Sequence, residues 1–302
     1  MNYKVVRNNL RSIELLAPAK INLFLSVGKK RRDGFHGLVT LMQEVSLHDR
    51  VRIRLRAGNS IRVTVVPAVK GVPSGRKNLV CKAAEAFFRH TGLKTGIEIT
   101  VIKKVPAGAG LGGGSSDAAS TLIGLDCLLK TALGRKKLSE IAAEIGSDVP
   151  FFIYGRTALC RGRGEIVEPF ALRGKLYYVI VFPNIAVSTK LIYENFDLHL
   201  TKDVLYGKII VLKYVNADSI SGSLLFNSLE PVAFRLFPRL ETAAQVMRAC
   251  GGFKGVLLSG SGSAIYGLCR NKEMAIKTAE ILKRRLGRYM EKKSDIFVAQ
   301  TL

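Results

Sequence analysis

A chain of 302 residues exceeds the usual size of one hydrophobic core, so two domains are expected. Its 48% hydrophobic content excludes a disordered protein, and no apolar run approaches the ~20 residues of a membrane span. The formal charge of +24 invites polyanions, but clusters such as Lys29-Lys30-Arg31-Arg32, Arg135-Lys136-Lys137 and Lys283-Arg284-Arg285 are scattered and read as solvated faces rather than as a nucleic-acid track.

In chain order, Ser12 to Leu25 reads as a strand whose apolar run is interrupted by Lys20 and Asn22. After a basic loop, His36 to Leu47 is a second strand. Val51, Ile53 and Leu55 alternate with arginines as a half-buried strand does, and Ile61, Val63 and Val65 suggest its hairpin partner. Asn78 is an N-cap for a helix that ends at Gly92. Ile97, Ile99 and Val101 alternate as a strand, and Ala118, Leu122, Leu125 and Leu129 recur at helical spacing. A short helix, Leu138 to Ile145, stops at Gly146, and Phe151 to Tyr154 reads as a strand. Glu168-Pro169 to Gly174 is the expected domain joint, giving units of 1–169 and 170–302. The second unit has a strand at Leu176 to Phe182 and helices at Leu224 to Leu236 and Pro238 to Ala249. A hairpin from Val256 to Cys269, a helix from Lys272 to Leu286 and a strand near Ile296 complete it. This mixed, partly antiparallel pattern is α+β.

The stretch with the most chemical content is Pro106 to Ser120, P-A-G-A-G-L-G-G-G-S-S-D-A-A-S. Gly108, Gly110, Gly112, Gly113 and Gly114 let backbone N–H groups turn toward one point, and the helix that follows adds free amides and a positive dipole end. That is an anion cradle, and it points to ATP or a related phosphorylated ligand. The Walker A pattern lacks its lysine, because Gly113 is followed by Gly114 and Ser115. The dinucleotide pattern is matched by Gly108, Gly110 and Gly113, but the acidic residue it needs downstream has only Asp126 as a candidate, inside the same helix. Protein-kinase signatures are absent.

This loop resembles the phosphate-binding motif of the small-molecule kinase superfamily that includes galactokinase, homoserine kinase and mevalonate kinase. Ala17-Pro18-Ala19-Lys20-Ile21-Asn22-Leu23 is similar to its first motif and Ser259-Gly260-Ser261-Gly262-Ser263 to its third. Asp33-Gly34-Phe35-His36 and Gly146-Ser147-Asp148-Val149-Pro150-Phe151 resemble one branch, which phosphorylates a cytidine diphosphate sugar-alcohol derivative in the non-mevalonate route to isoprenoid precursors. The resemblance implies an N-terminal domain like the second domain of ribosomal protein S5 and a ferredoxin-like C-terminal domain.

It also implies roles. Pro106, Gly108, Gly110, Leu111, Gly112, Gly113, Gly114, Ser115 and Ser116 would hold the ATP phosphates, with one serine hydroxyl placed for magnesium, whose other ligands the sequence does not indicate. Asn78 and Lys103 match positions near the adenine and the phosphates. Asp148 would accept or orient the acceptor's hydroxyl proton as that hydroxyl acidifies late in transfer. Lys20 would keep Asp148 ionised and stabilise the reacting oxygen. Asn22, two residues on and on the same strand face, would bind the polyol. Phe35, His36 and Tyr193 would grip the cytosine, and Thr189 would lie near the acceptor. The family usually has tyrosine at Phe35, so the ring is kept and a hydroxyl lost; Gly37 stands where a glutamate is commoner.

Three rivals have their own signatures. Another superfamily member would have no use for Asp33-Gly34-Phe35-His36. An RNA-binding protein would leave Lys20 and Asp148 without a job. A dehydrogenase lacks its ribose acid. Cys81, Cys127, Cys160, Cys250 and Cys269 are odd in number and lack close pairs, so neither disulfides nor a zinc site is expected. No signal peptide is indicated in the first twenty residues, and cytoplasm is the simplest compartment. No membrane partner is expected. Monomer and homodimer stay open.

Overall fold

The computed structural model describes residues 5–69, 71–172, 174–196, 222–290 and 293–302. Two very long strands form its spine, β2 (Ser12–Lys30) after the short β1 (Val5–Asn9), and β3 (His36–Arg56). They pair antiparallel over most of their length. The register slips between Pro18 and Ala19 and again between Asn22 and Phe24. Bulges re-aim side chains, and Lys20 lies between these two. What the sequence presents as separate strands at His36–Leu47 and Val51–Leu55 is one element, because nothing in Ser46 to Arg50 terminates an extended chain.

The following elements are β4 (Ile61–Val66), α1 (Leu79–Thr91) and β5 (Gly96–Ile102). The expected hairpin between β3 and Ile61–Val65 does not form. β5 lies between them, antiparallel to β3 and parallel to β4. The helix is the reason: a strand–helix–strand order crosses over and pairs its strands in parallel. Burial agrees, since β5 is largely buried while β4 alternates half-buried and exposed, as an edge strand should. Asn78 caps α1 as expected, its Oδ1 accepting from the Val80 N–H at 2.9 Å.

Next come α2 (Gly113–Leu129), α3 (Gly134–Ile145), α4 (Val149–Tyr154), β6 (Thr157–Gly162) and β7 (Ile166–Pro169). The strand expected at Phe151–Tyr154 is the helix α4. Val-Pro-Phe-Phe-Ile-Tyr is an unbroken apolar run, for which periodicity cannot separate helix from strand. Pro150 settles it, occupying a first-turn position whose N–H a helix does not need. α2 is buried on nearly every side and packs tightly on the sheet: a Cβ on Gly124 would sit 2.7 Å from Ile53 Cδ1 and 2.9 Å from Leu15 Cδ1. These helices, the first half of β2 and the second half of β3 enclose one core around Ile13, Val51, Phe87, Ile99, Leu122 and Phe151.

The rest of the chain builds a second sheet. Its strands are β8 (Tyr177–Phe182), β10 (Phe253–Leu258), β11 (Ile265–Cys269) and β12 (Asp295–Gln300), in the order β10-β11-β8-β12. That order is the ferredoxin-like one. Its helices are α5 (Thr189–Glu194), α6 (Glu230–Leu236), α7 (Pro238–Ala249) and α8 (Lys272–Tyr289). The helix expected from Leu224 begins only at Glu230. Before it, β9 (Phe226–Asn227) joins the first sheet, parallel to β2. A core holding Ile21, Phe24 and Leu41 together with Tyr178, Ile180 and Tyr266 joins the second half of β2 and the first half of β3 to the second sheet.

Candidate active site

The burial of Lys20 explains its partners. Its side chain is 5% exposed, and a buried ammonium needs compensation. Nζ donates to Asn22 Oδ1 at 2.7 Å and stands 3.7 Å from Asp148 Oδ2. Asn22 is itself fixed: Nδ2 donates to Thr40 Oγ1 at 2.8 Å, and Thr40 Oγ1 donates to the Phe24 carbonyl at 2.7 Å. Asp148 precedes the first turn of α4 without capping it, so its carboxylate is left for Lys20 and the cavity.

Lys20, Asn22, Phe35, His36, Asp148, Thr189 and Tyr193 all line one cavity of about 600 Å³, together with Gly110 and Gly112 of the glycine loop and Gly260 and Ser261 of the second turn. The Lys20 N–H donates to the Leu111 carbonyl at 2.9 Å, tying strand to loop. The loop in turn docks on the second sheet. The Ala264 N–H donates to the Ala109 carbonyl at 3.0 Å and Ser259 Oγ to the Gly110 carbonyl at 3.1 Å. Gly110 has φ +74°, and a Cβ there would lie 2.1 Å from the Ser259 carbonyl oxygen.

At the other end of the cavity, Phe35 is 51% exposed. The His36 ring lies 5.7 Å from that of Tyr193, tilted by 45°, and its Nδ1 is 2.9 Å from the Gly28 carbonyl. Burial, with Asp148's charge adding to it, pushes the Tyr193 hydroxyl well above its ordinary range, so it stays protonated. Thr189 Oγ1 and Ser261 Oγ share a hydrogen bond of 2.8 Å. The sequence does not single out Arg163, whose guanidinium sits 5.0 Å over the Phe35 ring, or Lys30 and Lys190, which also line this end. Runs of basic residues are too common in this chain to mark them.

Other expected site residues lie outside this cavity: Asn78, Lys103, Pro106, Gly108, Leu111, Gly113, Gly114, Ser115 and Ser116. Gly108 is exposed on the loop, and in the first turn of α2 Gly114 is exposed and Ser115 half-buried. Both polar ends of the Asn78 side chain are engaged by backbone, Nδ2 donating to the Pro73 carbonyl at 2.8 Å. Lys103 is not on the open side of the loop. Its ammonium is held between Asp49 at 2.5 Å and Asp117 at 2.8 Å, with the side chain 5% exposed. Neither aspartate stands out in the sequence, because the three meet only through tertiary packing.

Fold and site together define a small-molecule kinase: a helix N-terminus behind a glycine loop, facing a carboxylate and an ammonium across a cavity. Residues 78–156 match the GHMP kinases N terminal domain, and residues 214–288 the GHMP kinases C terminal. Among relatives, a 4-diphosphocytidyl-2-C-methyl-D-erythritol kinase of Geobacter sp. (strain M21) is 42% identical over 91% of this chain and 96% of its own. One of Geotalea daltonii is 39% identical over 96% and 98%. A crystal structure of a 4-(cytidine 5'-diphospho)-2C-methyl-D-erythritol kinase matches with a TM-score of 0.78 at 36% identity, covering 96% of this chain and 99% of that one. A homoserine kinase from Cytophaga hutchinsonii reaches the same TM-score of 0.78 at 24% identity, so the fold by itself does not choose an acceptor. The chain belongs to the 4-diphosphocytidyl-2-C-methyl-D-erythritol kinase family of GHMP kinases.

Proposed function

We propose that this kinase transfers the γ-phosphoryl group of ATP to the 2-hydroxyl of 4-diphosphocytidyl-2-C-methyl-D-erythritol, in the non-mevalonate route to isopentenyl diphosphate. One observation carries the reading: the Lys20–Asp148 pair, 3.7 Å apart, shares a cavity with the glycine loop and with Phe35, His36 and Tyr193. The amides at the start of α2 hold the triphosphate. The acceptor's methylerythritol lies against Asn22 and Thr189, and its cytosine between Phe35 and Tyr193, with His36 reading the base edge.

In the transfer step the acceptor oxygen bonds to the γ-phosphorus as the bond to the β-phosphate bridging oxygen breaks, and ADP leaves. The hydroxyl proton passes to Asp148 Oδ. Lys20 stands beside that carboxylate and stabilises negative charge on the reacting oxygens. Magnesium bound with the nucleotide would neutralise phosphate charge, and one hydroxyl of the Ser115–Ser116 pair would reach it; Ser115 is half-buried at the start of α2, whereas Ser116 Oγ is buried without a hydrogen-bond partner. Among the described residues no group of three or more His, Cys, Asp or Glu side chains gathers to hold an ion unaided.

The same reading divides the chain into an ATP-binding unit, residues 1–169, and a second unit, residues 170–302, acting as monomer or homodimer in the cytoplasm. No helix among the described residues is long and apolar enough to cross a membrane.

The test is ATP consumption by purified protein against the cytidylyl-methylerythritol acceptor, homoserine, mevalonate and phosphomevalonate. Turnover confined to the first supports the reading. Preference for any of the others, or tight RNA binding without ATP turnover, overturns it.

A further inference from the structure

An asparagine amide keeps its outline when turned over, so its neighbours decide which end is oxygen. At Asn22 two neighbours decide, and they agree. Lys20 Nζ lies 2.7 Å from one end, and an ammonium only donates, so that end is Oδ1. Thr40 Oγ1 lies 2.8 Å from the other end and 2.7 Å from the Phe24 carbonyl. The carbonyl takes the single hydroxyl proton, and the lone pair left on Thr40 can be met only by Nδ2. Thr40 and Asn22 are both buried, so bulk water offers neither of them a substitute. The two are not a facing pair: Asn22 lies opposite Met42 and Thr40 opposite Leu25, with the register slip between Asn22 and Phe24 in between. The Asn22 main chain is pinned separately, its carbonyl accepting from the Tyr266 hydroxyl at 2.9 Å. What Thr40 adds is the sense of the amide.

We propose that Thr40 is a positioning residue for phosphoryl transfer: by fixing the sense of the Asn22 amide, it holds the Lys20 ammonium off Asp148. This rests on the kinase reading only in taking Lys20 and Asp148 to serve the transfer.

The distances give the reason. Lys20 Nζ stands 3.7 Å from Asp148 Oδ2, well beyond the about 2.7–2.9 Å of a charge-assisted hydrogen bond. It makes that short contact with the neutral Asn22 Oδ1 instead. The carboxylate therefore keeps its lone pairs for the acceptor's hydroxyl proton, and the ammonium keeps N–H groups for the reacting oxygens. With the amide turned over, Nδ2 would face Nζ, donor against donor. The ammonium would then swing onto Asp148 and bond to it directly, and the base would be occupied before the acceptor arrives. Thr40 touches neither reactant group, so it acts only through Asn22.

The experiment compares Thr40→Val, which keeps the shape and loses the hydroxyl, with Thr40→Ser, which keeps the hydroxyl, each in the wild-type and in an Asn22→Ala background. Thr40→Val is expected to lower kcat about tenfold, the rate equivalent of one hydrogen bond, and to leave nucleotide Kd within about twofold. Thr40→Ser should restore kcat to within about threefold of wild type, and Thr40→Val should cost nothing further once Asn22 is alanine. A normal kcat in Thr40→Val, an equal loss with and without Asn22, or a nucleotide Kd that weakens as much as kcat falls overturns the proposal. Should Thr40→Val not fold, Thr40→Ala removes the same hydroxyl and is read the same way. A second measurement needs no turnover: hydrogen exchange of the Asn22 side-chain amide, followed by NMR in the ligand-free chain, should be about tenfold faster in Thr40→Val and return toward wild type in Thr40→Ser. Unchanged exchange also overturns the proposal. An acceptor panel that fails while this exchange difference holds sinks the kinase reading and leaves the hold of Thr40 on the amide standing.

Discussion

Replacing Asp148 with Asn separates chemistry from architecture. The amide keeps the shape of the carboxyl and loses both its charge and its ability to take the hydroxyl proton. The structural cost is small. The Asp148 side chain is 34% exposed and its contact with Lys20 is 3.7 Å, so the pair contributes about 1 kcal/mol at most. Lys20 keeps Asn22 Oδ1 at 2.7 Å, and its ammonium is not left bare. A positioned base is worth about 10²–10⁴ in rate, or roughly 3–5 kcal/mol of barrier. Loss of turnover therefore exceeds loss of stability severalfold in energy. Asp148→Asn is expected to lower kcat by about a thousandfold, leave thermal melting within about 3 °C of wild type and leave nucleotide binding intact. Coupled assay of ADP release, melting and nucleotide titration on the same preparation read all three. A variant whose kcat stays within about tenfold of wild type would refute the base assignment, and one that no longer folds would refute the energetics.

Phe35→Ala removes an exposed stacking face and is expected to raise KM for the cytidine acceptor about tenfold while leaving KM for ATP within about twofold; equal shifts for both ligands contradict the stacking role. Gly110→Ala would put a Cβ 2.1 Å from the Ser259 carbonyl at φ +74°, so melting should fall by several degrees and activity should collapse. A variant with normal melting and turnover would mean that the loop does not dock as described. Asp117 gives a pH test of stability. Its carboxyl titrates at about 7 folded against an ordinary 3.8, so the folded chain holds this proton more tightly, and its contribution declines as pH rises between those values. Relative to wild type, Asp117→Asn should gain in melting temperature from about pH 5 to about pH 8, and a gap that narrows instead reverses the sign of the argument.

Local chemistry made some of this legible in the sequence. Asn78, Gly92, the glycine run before α2 and Pro238 at the start of α7 act through their own backbone neighbourhoods, and each stands where it is expected. The apolar strand around Lys20 and Asn22 makes two polar residues on one face conspicuous, but their place in the site was legible only through the resemblance of their motif; in the fold they hydrogen-bond each other. What could not be read was set by tertiary choice. Val149–Tyr154 is apolar throughout, so its period carried no information. The neighbour of β4 depended on a crossover, not on its own alternation. Lys103 meets Asp49 across 54 positions of sequence, and nothing local marks either aspartate as its partner.

The turn at Ser259–Ser263, which meets the glycine loop, is held by the side chain of Asn227 on β9 of the first sheet. The side chain is 4% exposed. Nδ2 donates to the carbonyls of Leu258 at 2.9 Å and Gly260 at 2.7 Å, and Oδ1 accepts from the Leu229 N–H at 2.9 Å. Asn227→Ala strands two buried carbonyls and one N–H, at a cost of about 3–9 kcal/mol, since each unmade buried bond costs about 1–3. At roughly 2–4 °C per kcal/mol that is a loss of about 6 °C or more. Asn227→Asp makes the sharper comparison. Its carboxylate can still accept from Leu229 but offers the two carbonyls no donor and faces them with negative charge, so it should be less stable than the alanine variant despite its closer shape. The turn borders the acceptor cavity through Gly260 and Ser261, so in whichever variant folds, kcat/KM for the acceptor should fall further than nucleotide affinity. An aspartate variant as stable as wild type would show that these carbonyls find other donors, and that the turn is not held from beneath by this one amide.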